Sequence, residues 1–243
     1  MMFSYIDGAE VVLRGNAIIG LTGGPAADFN MALFGEGPDE VGIFNDFISR
    51  VKAAGLSALA MVSGAASTSL GPMAQAAGLV KAGSAPMMVR AGALTHRPAP
   101  EFVSRRVTGA REMTTFGDLA ASAFALDRAW VDRTFAAVSL LDAPGLAFYI
   151  AYRGDVPMSA VCSTRAGSTV GIWTMSTPPD RQRQGAGRAV LLAAMQDHLE
   201  RGAETFYLIA TAAGKPLYDS VGFETIDELS VWLVGESLQF STH

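Results

Sequence analysis

Residues 177–188 read Thr-Pro-Pro-Asp-Arg-Gln-Arg-Gln-Gly-Ala-Gly-Arg and run straight into an apolar-periodic stretch that predicts a helix over 189–201. Within them, Gln182-x-x-Gly185-x-Gly187 forms a glycine-rich turn at the start of that helix. Such a turn binds anions, because first-turn N–H groups have no intrahelical acceptor and the helix dipole adds positive potential. Glycine lets the backbone approach a phosphate closely, and Arg181, Arg183 and Arg188 add cationic cover. A pyrophosphate is the ligand these features suit. The loop is not a Walker loop, because Arg188 and Ala189 follow Gly187 where Lys and Ser or Thr would be needed. Nor is it a dinucleotide fingerprint, since Val190 stands where the third glycine would fall.

A second motif lies about thirty residues downstream, with a predicted strand between. It reads Pro216-Leu217-Tyr218-Asp219-Ser220-Val221-Gly222-Phe223. Together the two segments resemble the GNAT superfamily of N-acetyltransferases, whose coenzyme A loop reads Arg/Gln-x-x-Gly-x-Gly/Ala and whose fold closes on Leu-Tyr-x-x-x-Gly-Phe. The resemblance implies acetyl-CoA as co-substrate, with Gln182, Arg183, Gln184, Gly185, Ala186, Gly187 and Arg188 around its pyrophosphate. It implies that the strand before the loop, 173–177, splays from its neighbour and offers main-chain contacts to the pantetheine arm and thioester carbonyl at Met175 and Thr177, while the side chains of Trp173 and Met175 pack in the sheet. Thr211 stands where the family often has an asparagine that touches the coenzyme. By residue type alone Tyr218 is a core tyrosine on a short helix. Its place in the motif makes it the candidate general acid, a phenol that stays protonated at neutral pH and can protonate a departing thiolate. Glu112, Asp118, Asp127 and Asp132 fall in no motif and read as solvated charges or caps, so no base is assigned.

The elements that must position these residues follow from periodicity. Strands are predicted at 102–107, 146–152, 158–163, 169–175, 205–210 and 230–234. Helices are predicted at 116–126, 128–141, 189–201 and 216–221. Leu192, Met195 and Leu199 mark the buried stripe of the helix after the loop, which Gly202 ends. This order matches the GNAT fold, an α/β architecture with a mixed central sheet flanked by helices, across roughly 101–236. Thr95-His96-Arg97-Pro98-Ala99-Pro100 is the linker candidate, because its prolines disfavour both helix and sheet pairing. The expected division is therefore 1–94, a linker at 95–100, and a catalytic domain at 101–243.

Residues 1–94 carry a faint copy of the same pattern. Residues 47–55 resemble the helix ending at Gly202, and 58–62 resemble the strand at 205–209. Met73-Ala74-Gln75-Ala76-Ala77-Gly78-Leu79 aligns with 217–223, with Ala74 in place of the tyrosine. Opposite the phosphate loop stands Gly35-Glu36-Gly37-Pro38-Asp39-Glu40, whose three acids repel a pyrophosphate and whose proline lacks a donor. The half is either a degenerate GNAT-like repeat in a tandem arrangement or a different, lid-like accessory domain.

Composition bounds the rest. The chain has 243 residues, half of them hydrophobic and only 17% charged, which fits a globular protein with a sizeable core. A net charge of −5 without any basic block argues against nucleic acid and against an anionic membrane surface. Asp7 and Glu10 come early, no signal peptide pattern opens the chain, and no apolar run is long enough to span a bilayer. With one cysteine, Cys162, no intramolecular disulfide can form, so a cytoplasmic setting is expected. Cys162 falls in a predicted strand and reads as a small core residue. His96, His198 and His243, at linker, helix surface and C-terminus, have no metal-ligand spacing, so no metal is expected. The run 63–69, rich in serine but without cations, reads as a loop. The leading function is acetyl transfer to a primary amine of a small molecule or amino acid. The alternatives are a non-catalytic acyl-CoA-binding regulator and an acetyltransferase of protein lysines or N-termini.

Overall fold

In the computed structural model the described residues are Phe3, Ile6, 8–134 and 137–235. Asp7, Phe135 and His243 lie outside them. Strands β1 (Glu10–Arg14), β2 (Ala17–Leu21) and β3 (Asn30–Phe34) form a meander, followed by helix α1 (Glu40–Ala53), strand β4 (Ala58–Val62), helix α2 (Ser67–Ala76) and the long strand β5 (Val80–Ala91). After the coil at 95–100 come β6 (Val103–Arg106), α3 (Ala110–Phe124), α4 (Arg128–Thr134), β7 (Leu146–Arg153), β8 (Val156–Ala166) and β9 (Thr169–Ser176). The chain then forms α5 (Ala186–Glu200), β10 (Thr205–Ile209), α6 (Lys215–Ser220) and β11 (Glu224–Val234).

The eleven strands of the described residues join one sheet, in the order β1-β2-β3-β4-β11-β5-β10-β9-β8-β7-β6. The unit β-β-β-α-β-α-β occurs twice, as β1 to β5 and as β7 to β11, and each copy gives its last strand to the other. β5 lies between β10 and β11, antiparallel to both, and β11 lies between β4 and β5, antiparallel to both. The halves are thus stitched at the centre by exchanged strands. The resemblance between them extends to the turns that end their helices. Leu56 N–H bonds Val51 O after α1 and Ala203 N–H bonds His198 O after α5, while Leu79 N–H bonds Ala74 O and Phe223 N–H bonds Tyr218 O after the second helix of each copy.

The core has a layer on each face. Helices α5 and α6 bury Val190, Leu191, Met195 and Tyr218 against Ala147, Tyr149, Phe206 and Leu208. On the opposite face α3 and α4 bury Phe116, Leu119 and Trp130 against Phe148 and Ile150, joined by Phe29 and Met31 of the N-terminal half. A separate cluster packs α1 and α2 onto β2 to β4 with Trp232 and Val234 of β11.

Several boundaries differ from the sequence expectation. The helix expected at 128–141 does not run through: α4 is described over Arg128–Thr134, Ala137 adopts an extended backbone, and a separate 3-10 turn spans Val138–Asp142. The helix expected from 116 starts at Ala110, with Thr108 N–H bonded to Glu112 Oε2 at its start. The last strand starts at Glu224, since β5 pairs with it along its polar first half. Of the run 63–69, Ser67, Thr68 and Ser69 form the first turn of α2. His198 is not a surface residue: it is 3% exposed, with Nε2 at 2.8 Å from Ser163 Oγ and its ring edge-on to Tyr149. Burial drives its pKa down to about 4, so it sits in the core as neutral imidazole.

Candidate active site

Strand β9 stops alternating at its C-terminal end. Thr174 takes a left-handed φ of 49°, and the register with β8 slips between Cys162↔Trp173 and Ala160↔Ser176. This bulge sends Trp173 into the α3 layer and Met175, two residues on, into the α5 layer, whereas an unbroken strand would keep both on one face. The pairing of β9 with β10 also ends early. Thr169, Val170 and Gly171 are registered with Thr205, Phe206 and Tyr207, and beyond that pair the two parallel strands part. The next inter-strand bond of β10 goes the other way: Ala210 N–H donates to Pro86 O of β5 at 2.9 Å. A gap opens between β9 and β10 at the mouth of α5.

Over this gap stands the glycine turn. Gly185, at φ 90°, is the residue before α5, and Arg183 also takes a left-handed φ of 60°. The first bond into the helix runs from Ala189 N–H to Gly185 O, so the N–H groups of Ala186, Gly187 and Arg188 face out of the helix end. Arg181 donates to Pro157 O and Arg153 Nη1 to Gln184 Oε1 at 2.8 Å, which anchors the turn to the β7–β8 hairpin. Gln182 Nε2 donates to Thr177 O at 3.2 Å, and the Thr177 hydroxyl lies 2.8 Å from Ser159 Oγ. Arg183 is exposed and its guanidinium has no partner among the described residues, so its charge faces solvent beside the turn.

Helix α6 completes the site. A Cβ placed on Gly187 would lie 3.4 Å from Thr177 Oγ1, 3.6 Å from Leu217 Cδ2 and 3.7 Å from Met175 Cε. The strand end, the helix mouth and α6 therefore converge at Gly187, and Arg188 Nη1 reaches Ser220 Oγ at 3.4 Å. Tyr218 is 7% exposed, with its ring edge-on to Phe223. Its hydroxyl has no hydrogen-bond partner among the described residues, yet it is not sealed from solvent. Burial pushes its pKa up to about 12, which keeps it protonated across the neutral range. Thr211 lies on the loop before α6, where its Oγ1 accepts from Gly214 N–H at 3.1 Å. That bond uses a lone pair and leaves the hydroxyl proton available.

The four carboxylates outside any motif have structural partners. Asp127 caps α4 through Trp130 N–H at 2.8 Å, Asp118 and Asp132 both pair with Arg128, and Glu112 receives Thr108 N–H. Cys162 is fully buried, and its thiol pKa is raised by that burial. Among the described residues no group of three or more His, Cys, Asp or Glu is placed to hold a metal, and no helix is long and apolar enough to cross a membrane.

The corresponding place in the N-terminal half is shut. β3 and β4 stay paired through Phe34↔Val62, and Ser63 N–H then bonds Phe34 O at 2.9 Å. At the start of α1, Gly37 N–H donates to Glu40 Oε2 at 2.9 Å and Ser69 Oγ donates to Glu40 Oε1. Those bonds hold the Glu40 carboxyl below its usual range. A carboxylate of the chain itself thus stands at this helix mouth and takes a backbone donor beside it.

A mixed sheet parted over a glycine-rich helix mouth, with helices on both faces, is the architecture of the GNAT fold. The model of the Acetyltransferase (GNAT) family matches residues 113–223. These residues are a GNAT acetyltransferase domain, and the chain is an acyltransferase. Similar solved structures extend over nearly the whole chain. A GCN5-related N-acetyltransferase from Kribbella flavida superposes with a TM-score of 0.70 at 16% identity, covering 94% of this chain and 90% of that one. One from Sphaerobacter thermophilus gives 0.63 at 12%, covering 98% and 86%. A tandem GNAT protein from the clavulanic acid biosynthesis pathway gives 0.61 at 12%, covering 96% and 86%. At such identities the likeness is one of fold. No curated protein matches this chain in sequence.

Proposed function

We propose that the protein transfers the acetyl group of acetyl-CoA to a primary amine of a small molecule or amino acid, at one site per chain. The observation that carries this reading is the parting of β9 from β10 beneath the N–H groups of Ala186, Gly187 and Arg188. The pyrophosphate would rest on those donors with Gln182, Gln184 and Gly185 around it and Arg183 and Arg188 screening its charge. The pantetheine arm would lie along Met175 and Thr177, with Thr211 across the gap.

In the reaction the amine nitrogen forms a bond to the thioester carbonyl carbon, and the carbon–sulfur bond breaks. Tyr218 gives its proton to the departing sulfur, and the amine releases a proton to solvent. A phenol kept protonated by burial is suited to that task. The N-terminal half (1–94) is a degenerate copy, joined by 95–100 to the catalytic 101–243, and its closed strands and Glu40 leave it without a coenzyme site. The experiment is turnover of acetyl-CoA, read as free thiol, against pooled small amines and against peptides. Thiol release with the amines supports the reading, release with peptides alone moves it to protein substrates, and binding without release leaves a regulator.

A further inference from the structure

Arg90 lies near the end of β5, in the strand that the N-terminal half lends to the catalytic half, and it is 7% exposed. Its three donor groups all end on main-chain carbonyls. Nε donates to Val221 O at 2.9 Å, Nη1 to Gly92 O at 2.8 Å and Nη2 to Ala93 O at 2.6 Å. No carboxylate is within ion-pair distance of it among the described residues. A buried cation without a counter-ion is costly unless hydrogen bonds satisfy its donors, and here three carbonyls do so. Arg90 holds the end of the helix that carries Tyr218.

Val221 is the residue that ends α6. The turn there is closed by Val221 N–H to Tyr218 O at 3.1 Å and Phe223 N–H to Tyr218 O at 3.0 Å. With only six residues, α6 cannot hold its own shape, so the direction of the Tyr218 ring depends on outside clamps. The second copy of the motif supplies a comparison. Arg90 pairs with Phe206, the second residue of β10. The matching pair in the N-terminal half is Leu233 with Leu59, the second residue of β4. A buried leucine stands there, α2 has ten residues, and Ala74 replaces the tyrosine. There the matching carbonyl, Ala77 O, is met among the described residues only by the exposed Lys52 Nζ at 3.2 Å, so the buried clamp from the lent strand belongs to the half that has a tyrosine to aim.

We infer that Arg90 is a positioning residue for Tyr218, through which the half without a coenzyme site takes part in acetyl transfer. The inference rests on the acid role proposed for Tyr218, and the test separates the two. R90M keeps the aliphatic length and removes every donor, and R90K keeps the charge and one donor direction. Single-turnover acetyl transfer is measured for wild type, R90M, R90K, Y218F and R90M/Y218F, with KM for acetyl-CoA alongside. A second readout is the 19F resonance of 3-fluorotyrosine placed at 218. R90M should slow transfer by about 10- to 100-fold, with acetyl-CoA KM changed less than about threefold and little further loss in the Y218F background. R90K should recover part of the rate, and the 19F line should shift or broaden in R90M. An equal fold-loss with and without the tyrosine hydroxyl, or an unmoved resonance with wild-type rate, overturns the inference. If Y218F alone transfers at the wild-type rate, the acid role falls, and the resonance still decides whether Arg90 sets the tyrosine. Should R90M fail to fold, R90K alone and in the Y218F background carries the same comparison.

Discussion

Gly187 gives the sharpest test of the coenzyme site, because the structure separates a small substitution from a large one. A methyl at this position would sit in ordinary contact, 3.4 to 3.7 Å from Thr177, Leu217 and Met175. Its backbone is helical, so G187A is free of strain and should gain up to about 1 kcal/mol of helix preference. Acetyl-CoA affinity of G187A should stay within a few-fold of wild type. G187W is different: the three neighbours hem in its first carbon, so the ring can extend only toward the mouth where the N–H groups face. Two or three charge-assisted bonds to the pyrophosphate would then be lost, at about 1.5–3 kcal/mol each. Even two such losses amount to about 3 kcal/mol, or more than 100-fold in Kd. Isothermal titration with acetyl-CoA reads the affinity, and thermal unfolding without ligand reads the fold. A G187W protein that melts like wild type and binds acetyl-CoA with unchanged Kd would refute the placement of the pyrophosphate. R183A provides a scale, since its exposed charge should contribute about 1 kcal/mol or less and weaken binding only about fivefold.

Y218F keeps the ring packed against Phe223 and removes the donor, so single-turnover transfer should fall about 10²- to 10⁴-fold with acetyl-CoA affinity nearly unchanged; transfer at the wild-type rate would leave Tyr218 a core residue. Because the Tyr218 pKa is raised to about 12, no loss of rate between pH 8 and 10 should trace to its ionisation, and the alkaline limb should be the same in shape for Y218F. Titration calorimetry should give one acetyl-CoA per chain, and two would contradict the closed N-terminal site. His198 ionises near 6.5 when unfolded and about 4 when folded, so the unfolded chain binds more protons between those values and stability falls as pH drops through them. The shift corresponds to about 3 kcal/mol between pH 7 and pH 4, and H198Q should flatten that slope in urea unfolding; an unchanged slope would place His198 in contact with water.

The glycine turn before α5, the tyrosine motif and the C-terminal half's element order were legible in the sequence, because each depends on neighbours within a few residues. Glycine at the mouth of a helix, tyrosine on its short successor and alternating strands carry their geometry in local backbone preference. The same locality exposed the second copy through 47–55, 58–62 and 73–79. The parting of β9 from β10 was implied only by the family resemblance and not by local pattern, because it depends on which strand captures Ala210, and that strand, β5, is more than a hundred residues away. Strand exchange between the halves was hidden for the same reason: β5 and β11 would read alike in either sheet, and only long-range pairing chooses. His198 was misjudged from its residue type, although it follows Leu191 and Met195 at helical spacing on the packed face. Arg90 gave no signal at all, since a lone arginine in a strand acquires meaning only when its three carbonyls are brought around it. Sequence determined the glycine turn and the short helix with its tyrosine; tertiary pairing decided which half would open, and what would hold the tyrosine there.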